Sequence, residues 1–239
     1  MRDAGLPAGV VNILTMGHGE AQALCTHPRV AMITLTGGVA AGRRVLDYSR
    51  VNIAKSSLEL GGKTPAIVAA DADLEQAAND TVRSKTTNCG QLCTAVERVC
   101  VQRAVQAGTR LECAGVLPPG TGYFYPPTLL TAVAQGDEIV QEKVFGPVLC
   151  VLPCDAFDDA LALASDHQLG LAPVLYTENY RQVMQAGNEI EAGELYINRT
   201  PADPYQGYHA GSKRSGLGGD DGKHGMLEFT QTRLVVMPY

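Results

Sequence analysis

The segment RVAMITLTGGVAAGRRVLDYS at 29–49 decides the fold class. Its first part, Val30–Thr36, is rich in apolar and β-branched residues and predicts a strand. Gly37 and Gly38 follow immediately, and a helical pattern then extends to about Ser49. A strand that runs through a tight glycine turn into a helix is the building unit of α/β proteins with parallel strands.

The same alternation continues through the chain. Predicted strands lie at Val10–Leu14, Val30–Thr36, Ile53–Leu60, Pro65–Ala70, Glu97–Gln102, Val148–Pro153, Ala172–Thr177, Glu194–Asn198 and Thr232–Met237. Helical patterns lie at Glu20–Cys25, Asp73–Thr87 and Phe157–His167 and again after Tyr180, with Asp71 or Asp73 as the cap of the second. We therefore expect an α/β fold.

Composition and charge exclude several classes of protein. The 239 residues include 19 Lys+Arg and 25 Asp+Glu, a net charge of −6 that gives no reason to expect nucleic-acid or anionic-membrane binding. The longest uncharged stretch, about 113–135, contains paired prolines and cannot be a membrane-spanning helix. The apolar run near the amino terminus is too short for a signal peptide, so we expect a cytoplasmic protein.

The seven cysteines disfavour both a disulfide framework and a zinc site. Their number is odd, no CxxC occurs, and no histidine stands at zinc-finger spacing from a cysteine pair. We expect no metal and free thiols, one of which can be a nucleophile. The candidate is Cys93 in NCGQLC at 88–93, between a predicted helix and a predicted strand. The alternative is an inert, buried cysteine, which is the commoner case.

A carboxylate at the end of a predicted strand is the second candidate. Glu59 lies in LELGGK at 58–63, where α/β folds build their sites, and can act as a general base or remain a solvated strand-end carboxylate. The segment is not a phosphate-binding loop, because Ser57 stands where that motif needs glycine. The amides after Gly37 and Gly38 can hold a pyrophosphate or simply form a tight turn.

Six segments, taken in order, resemble the successive signatures of the aldehyde dehydrogenase superfamily. They are PAGVVNIL at 7–14, TLTGG at 34–38, LELGGK at 58–63, NCGQLC at 88–93, EKVFGPV at 142–148 and GSKRSGLG at 211–218. YINR at 196–199, GYHAG at 207–211 and GGDDGKHG at 218–225 are most similar to the lactaldehyde and glycolaldehyde dehydrogenase branch. The resemblance implies a partial Rossmann-type cofactor domain and a parallel α/β catalytic domain.

The resemblance also implies a reaction, in which a small aldehyde or hydroxyaldehyde is oxidised to the acid with NAD or NADP. Cys93 would form a thiohemiacetal and then a thioester, and Glu59 would activate the hydrolytic water. Asp203 and His209 would lie near the substrate hydroxyl. The residues that the resemblance places at the cofactor are Gly19, Gly37, Gly38, Leu60 and Phe145.

The resemblance divides the chain into a truncated cofactor-binding part at 1–60, a catalytic domain at 61–217 and a tail at 218–239 with an oligomerisation strand. We expect the family's first cofactor-domain strands to be absent, along with an internal segment near 102–103. The residues that choose between NAD and NADP belong to the absent part. Lys143 stands where the family has a ribose-binding glutamate, and an ammonium cannot accept hydrogen bonds from ribose hydroxyls.

Three functions follow from these observations as alternatives. The first is an aldehyde dehydrogenase of abbreviated form, whose partner is a small aldehyde. The second is a non-catalytic relative that acts as a subunit or interaction protein, since Thr232–Met237 would favour a homo-oligomer or association with a longer homologue. The third is a cofactor-free thiol esterase that uses Cys93 and Glu59. No nucleic-acid or membrane partner is expected in any of them.

Overall fold

The structure is a computed structural model that describes residues 2–103 and 120–238. Cys113 and the start of the uncharged stretch at 113–135 lie outside these residues. The strands are β1 (Met32–Gly37), β2 (Lys55–Leu60), β3 (Thr64–Val68), β4 (Val96–Gln102), β5 (Thr128–Leu130), β6 (Val148–Cys154), β7 (Leu169–Gly170), β8 (Val174–Tyr176), β9 (Tyr196–Ile197), β10 (Ser212–Lys213) and β11 (Gly216–Leu217). The helices are α1 (His18–Cys25), α2 (Val39–Ser49), α3 (Leu74–Thr86), α4 (Glu138–Gln141), α5 (Phe157–Ser165), α6 (Tyr180–Glu189) and α7 (Gly222–Glu228).

The larger sheet is fully parallel, with strand order β5-β6-β4-β3-β8-β9. Alternate residues of β3 point to opposite faces, so Ile67 packs with Phe157 of α5 and Ala66 packs with Ala77 of α3. Both faces are therefore covered, as a parallel sheet requires. This explains why β3 is buried along its whole length.

The smaller sheet has three strands in the order β1-β2-β11. The β1 and β2 strands run parallel, and β11 pairs antiparallel with the other edge of β2. Its apolar core contains Ile33, Leu58 and Leu60 from the strands and Val45 from α2. The remaining pair, β7 and β10, forms an antiparallel ribbon.

Most of the predicted elements are confirmed, and the α/β class with them. Asp73 is the cap of α3, since its side chain accepts a hydrogen bond from the Gln76 N–H at 3.0 Å. Two predicted strands are wrong: Val10–Leu14 and Thr232–Met237 form no strand, and their apolar side chains are exposed. A β-branched run becomes a strand only when another backbone satisfies its hydrogen bonds, and no described strand pairs with either segment. None of the described helices combines the length and apolarity needed to cross a membrane.

Candidate active site

The predicted nucleophile lies in the cysteine loop, which we define as residues 87–95. A 3₁₀ turn at Thr87–Gly90 opens it, with φ values of 49° at Asn88, 57° at Cys89 and 74° at Gly90. A Cβ at position 90 would lie 2.6 Å from the Gly146 carbonyl oxygen, so only glycine fits there. The turn leaves Cys89 exposed and Cys93 half-buried.

The predicted base lies in the middle strand of the smaller sheet. Glu59 is the penultimate residue of β2, opposite Thr36 of β1 and Gly216 of β11. Its side chain is only 5% exposed, and neither carboxylate oxygen makes a hydrogen bond within the described residues. Burial raises the pKa of Glu59 to about 7, a shift that His209 opposes and nearby carboxylates reinforce. A carboxyl with this pKa exchanges protons near neutral pH.

A main-chain hydrogen bond joins the segment after β2, the strand that carries Glu59, to the cysteine loop, which carries Cys93. The Gly62 N–H, three residues after Glu59, donates to the Cys93 carbonyl at 3.3 Å. A Cβ at position 62 would lie 3.0 Å from that carbonyl oxygen and 2.8 Å from Leu171 Cβ. Glycine at position 62 therefore lets the end of β2 approach the cysteine loop.

One histidine contacts the predicted base. His209 Nε2 lies 3.4 Å from Glu59 Oε2. On the other side of the ring, Nδ1 forms a hydrogen bond with Glu194 and lies 3.5 Å from Asp203 Oδ2. We call Glu59, Glu194, Tyr196, Asp203 and His209 the histidine cluster.

The histidine cluster shifts the titration of its members. Hydrogen bonds with Asp203, Cys93 and Glu194 raise the pKa of His209 to about 12, against the effect of burial. The hydrogen bond with His209 in turn lowers the pKa of Asp203 to about 2. Burial, together with hydrogen bonds to Asp203 and Glu194, raises the pKa of the Tyr196 hydroxyl. The imidazole is therefore a cation held by carboxylates at neutral pH.

Ligand atoms of Glu194, Asp203 and His209 lie within 4.8 Å of one another, a spacing that a divalent cation could use. Direct hydrogen bonds already account for this proximity. The Tyr196 hydroxyl lies 2.8 Å from Glu194 Oε2 and also contacts Asp203, while His209 contacts both carboxylates. A protonated imidazole supplies the positive charge that the two carboxylates require.

A buried charge network joins β4 to the EKVFGPV segment. Glu97 of β4 forms salt bridges with Lys63 at 2.9 Å and Lys85 at 3.0 Å. It also accepts hydrogen bonds from the Val144 N–H at 3.1 Å and the Phe145 N–H at 3.3 Å. Burial alone would raise the pKa of Glu97, but the two lysines lower it. The EKVFGPV segment is thereby fixed to the central sheet.

Lys143, at the position where the resemblance leads us to expect a glutamate, contacts the cysteine loop. Its Nζ donates to the Leu92 and Cys93 carbonyl oxygens at 3.2 Å each and lies 5.1 Å from the Phe145 ring centroid. Burial lowers the pKa of Lys143, and the nearby Glu97 and Cys93 partly offset this decrease. The ammonium is thus a brace for the cysteine loop.

The predicted cofactor residues lie in three places, one of which is the EKVFGPV segment, where Phe145 lies beside Lys143. Gly37 is paired in register with Leu60, so both lie where the parallel strands β1 and β2 end, next to Glu59. Gly38 is the N-cap residue of α2 and provides no side-chain hydrogen bond to it, and a Cβ at this position would meet no atom within 4 Å. Gly19 lies apart in the first turn of α1, which packs on α2.

Sequence reasoning missed Glu194 and Tyr196. Tyr196 is the first residue of β9 and Glu194 lies two residues before it, both within the predicted strand at Glu194–Asn198. Residues two apart on a strand share a face, so their alternation placed a carboxylate and a hydroxyl together. The signal was present in the sequence, but nothing in it identified His209 as their partner.

The chain matches the aldehyde dehydrogenase family over residues 1–107 and 100–235. It is similar to lactaldehyde dehydrogenase from Escherichia coli (strain K12), with 39% identity over 98% of this chain and 59% of the relative. It is also similar to 3,6-anhydro-alpha-L-galactose dehydrogenase from Vibrio sp. (strain EJY3), with 34% identity over 96% of this chain and 58% of the relative. The chain thus spans less than two thirds of these relatives.

Solved structures agree with the sequence relatives. A structure of lactaldehyde dehydrogenase superposes with a TM-score of 0.89 at 39% identity, covering 98% of this chain and 59% of that one. A structure of 3,6-anhydro-L-galactose dehydrogenase in complex with NAP gives 0.88 at 35% identity, covering 95% and 58%.

An internal gap also agrees with the prediction near 102–103. The two matched family segments meet at residues 100–107. The alignment with the Escherichia coli relative spans 285 positions although this chain has 239 residues, so the relative has residues where this chain has none. Identity, coverage and fold together place the chain in a single family: it belongs to the aldehyde dehydrogenases.

Proposed function

We propose that the protein oxidises a small hydroxyaldehyde to the corresponding acid, with NAD or NADP as the electron acceptor. The observation that carries the proposal is the approach of the strand end that bears Glu59 to the cysteine loop, where the Gly62 N–H donates to the Cys93 carbonyl at 3.3 Å. A nucleophile and a base in neighbouring segments are what covalent oxidation through a thioester needs. The names of the relatives, which include lactaldehyde and D-glyceraldehyde dehydrogenases, support the substrate class.

Cys93 begins the reaction. Its sulfur adds to the aldehyde carbon, the C–S bond forms, and the carbonyl electron pair moves to oxygen. Within the described residues the Cys93 main-chain N–H makes no internal hydrogen bond, so it can donate to that oxyanion. Preorganised main-chain donors of this kind stabilise tetrahedral adducts.

The cofactor position is supported by the open turn at the end of β1. The first amides of α2 follow Gly38 without a side-chain cap, which suits a pyrophosphate. Gly37, Gly38 and Leu60 would hold the dinucleotide near Glu59. When bound, the nicotinamide accepts the hydride that leaves the substrate carbon. Lys143 offers no acceptor to a ribose, so we expect weak cofactor binding.

Glu59 completes the reaction by hydrolysis. Its buried carboxylate, with a pKa of about 7, can take a proton from water as that water attacks the thioester on Cys93. The C–S bond then breaks, the acid leaves, and the sulfur is regenerated. The Asp203 carboxylate and the Tyr196 hydroxyl, both beside His209, suit hydrogen bonds with a hydroxyl of the substrate.

The test is reduced-cofactor formation from lactaldehyde or glycolaldehyde by the purified chain. Cys93→Ala should remove the activity, whereas Cys89→Ala, in the exposed part of the same loop, should retain it. Absence of turnover in the unaltered chain, at saturating NAD and NADP, would rule the oxidation out. Nitrophenyl ester turnover that depends on Cys93 would then support the esterase alternative.

We further propose that the tail at 232–237 is an association segment. Leu234, Val236 and Met237 are at least 77% exposed, although apolar side chains gain free energy from burial. The occupant would be a second copy or a longer homologue. Light scattering should show an oligomer that Val236→Lys weakens, while Lys223→Met, on the exposed surface of α7, should leave it unchanged. A monomeric wild-type chain that captures no longer relative would contradict the proposal.

A further inference from the structure

We propose that Glu97 is a positioning residue for the cofactor side of the site: its carboxylate holds the main chain at Phe145 so that the ring can contact a bound dinucleotide. Glu97 is completely buried in β4, so it would act through the main chain of 144–145 and not by contact with a ligand. The inference rests on the proposed function, because only the resemblance assigns Phe145 to the cofactor.

The two oxygens of the Glu97 carboxylate have equivalent surroundings, each with one lysine and one main-chain amide. Oε1 lies 3.0 Å from Lys85 Nζ and accepts a hydrogen bond from the Phe145 N–H at 3.3 Å. Oε2 lies 2.9 Å from Lys63 Nζ and accepts a hydrogen bond from the Val144 N–H at 3.1 Å. Glutamine would turn its NH₂ group towards one of the lysines and one of the amides. The arrangement therefore requires an ionised carboxyl.

The main chain at Phe145 has a conformation that needs this support. Its φ is 53°, in the left-handed region that disfavours residues other than glycine. The ring is 50% exposed in this conformation, although an aromatic side chain gains free energy from burial. An exposed ring on a strained and anchored main chain favours a role in ligand contact over a role in packing.

Lys63 anchors the same segment before Lys143. Its Nζ donates to the Glu142 carbonyl at 2.7 Å and to the Ile139 carbonyl at 2.8 Å, in addition to Glu97. These three acceptors use all three N–H groups of the ammonium. The main chain is thus held on both sides of Lys143, whose Nζ contacts the cysteine loop. Loss of the Glu97 contacts would therefore release the aromatic ring relative to the cysteine loop.

The first measurement uses the unaltered protein without ligand, which keeps the test available if a variant fails to fold. After correction for intrinsic rates, the Val144 and Phe145 amides should exchange with deuterium at least about 100-fold more slowly than the amide of Tyr205, in an exposed turn, because their hydrogen bonds must first open. NMR resolves the individual amides. Exchange of both amides as fast as that of Tyr205 would overturn the inference.

The second measurement places a fluorescent reporter at the ring. The chain contains no tryptophan, so Phe145→Trp introduces a single indole. In this background Glu97→Gln is combined with Lys85→Met, so that one negative and one positive charge are removed together. The anisotropy of the indole should then fall at least about twofold, because an exposed ring that is no longer held reorients within nanoseconds. Lys85→Met alone is the matched control and should keep the anisotropy, since Lys63 still pairs with Glu97.

Cofactor binding is measured in the same proteins by energy transfer from the indole to NADH, without aldehyde. The Kd for NADH should rise at least about fivefold with Glu97→Gln and Lys85→Met together but not with Lys85→Met alone. A purely structural Glu97 would lower the unfolding free energy and leave the anisotropy and the Kd unchanged well below the unfolding midpoint. That result would overturn the inference.

The outcomes separate this inference from the proposed function. In a chain that binds no NADH and oxidises no aldehyde, the proposed function fails, whereas slow amide exchange and an anisotropy that depends on Glu97 would still sustain the positioning of Phe145. Aldehyde oxidation, with an anisotropy and a Kd for NADH indifferent to Glu97→Gln, would sustain the function and overturn the inference.

Discussion

Glu59 Oε2 lies 3.4 Å from His209 Nε2, yet neither oxygen of Glu59 makes a hydrogen bond within the described residues. The contact has the distance of an ion pair without the alignment of a hydrogen bond. The contact opposes the rise in the pKa of Glu59 that burial causes but does not cancel that rise, since the pKa is about 7. A buried carboxyl with free acceptor oxygens is suited to binding and deprotonating water.

Glu59→Gln should separate the two halves of the reaction. Formation of the thioester persists as a single burst of reduced cofactor, while steady turnover falls at least about 100-fold because water is no longer activated. In the unaltered protein the deacylation rate should rise with pH through about 7, as Glu59 ionises. Rapid-quench measurements check both statements. Glu178→Gln, an exposed carboxylate, is the control, and equal loss of burst and turnover would contradict the assignment.

The same residue predicts how stability depends on pH. The folded-state pKa of Glu59 lies above its ordinary value of 4.5, so its contribution to folding is fully present below pH 4.5 and is lost as the pH rises through about 7. Glutamine does not ionise. Glu59→Gln should therefore gain up to about 3 kcal/mol of unfolding free energy relative to wild type between pH 5 and pH 8. Urea titrations at the two pH values measure it, and a constant difference would refute it.

Gly62→Ala should affect stability and catalysis together. The added Cβ would lie 2.8 Å from Leu171 Cβ and 3.0 Å from the Cys93 carbonyl oxygen, so the end of β2 or the cysteine loop must move. We expect a loss of about 1–3 kcal/mol in unfolding free energy and a lower kcat. Gly187→Ala in α6, where a Cβ meets no atom within 4 Å, should gain up to about 1 kcal/mol. Matching losses in both variants would exclude this explanation.

Glu97→Gln should be the most destabilising of these changes. It leaves Lys63 and Lys85, which are 2% and 3% exposed, without their buried counter-charge. Removal of one partner from such a network costs about 3–5 kcal/mol. Thermal and urea unfolding should show the loss, whereas Glu75→Gln on the exposed face of α3 should show almost none. A variant as stable as wild type would contradict the assignment of Glu97 as the buried counter-charge of the two lysines.

Lys143→Met tests the brace on the cysteine loop. Methionine keeps the aliphatic stem but leaves the Leu92 and Cys93 carbonyl oxygens without the ammonium donor. We expect a loss of about 1–3 kcal/mol in unfolding free energy. Lys223→Met on the surface of α7 is the matched control. Equal stability of wild type and Lys143→Met would show that water replaces the ammonium.

The parts of the fold that follow from local pattern were predictable. The apolar run at β1, the buried run at β3 and the Asp73 cap of α3 each depend on residues close in the chain. Val10–Leu14 and Thr232–Met237 have equally good strand composition, but a strand also needs a partner backbone, which composition does not encode.

The candidate site shows the same division. Cys93 and Glu59 were identified from their own segments. Glu194 was not, because its importance comes from a hydrogen bond with His209, fifteen positions further along the chain. The hydrogen bonds from Lys143 to the cysteine loop were also not predicted. A lysine where a glutamate was expected indicated only that a hydrogen bond with a ribose hydroxyl would be lost. Relationships between distant segments decide these roles.

The carboxyl of the candidate site belongs to the smaller sheet, whereas the sulfur belongs to the cysteine loop that leads into β4 of the larger sheet, and the Gly62–Cys93 hydrogen bond joins the two. Exchange of residues 1–60 with those of a relative would therefore transplant the Glu59 carboxyl together with the turn at Gly37 and Gly38 and leave the cysteine loop native. Comparison of such hybrids with Glu59→Gln would separate the contribution of the carboxyl from that of the turn.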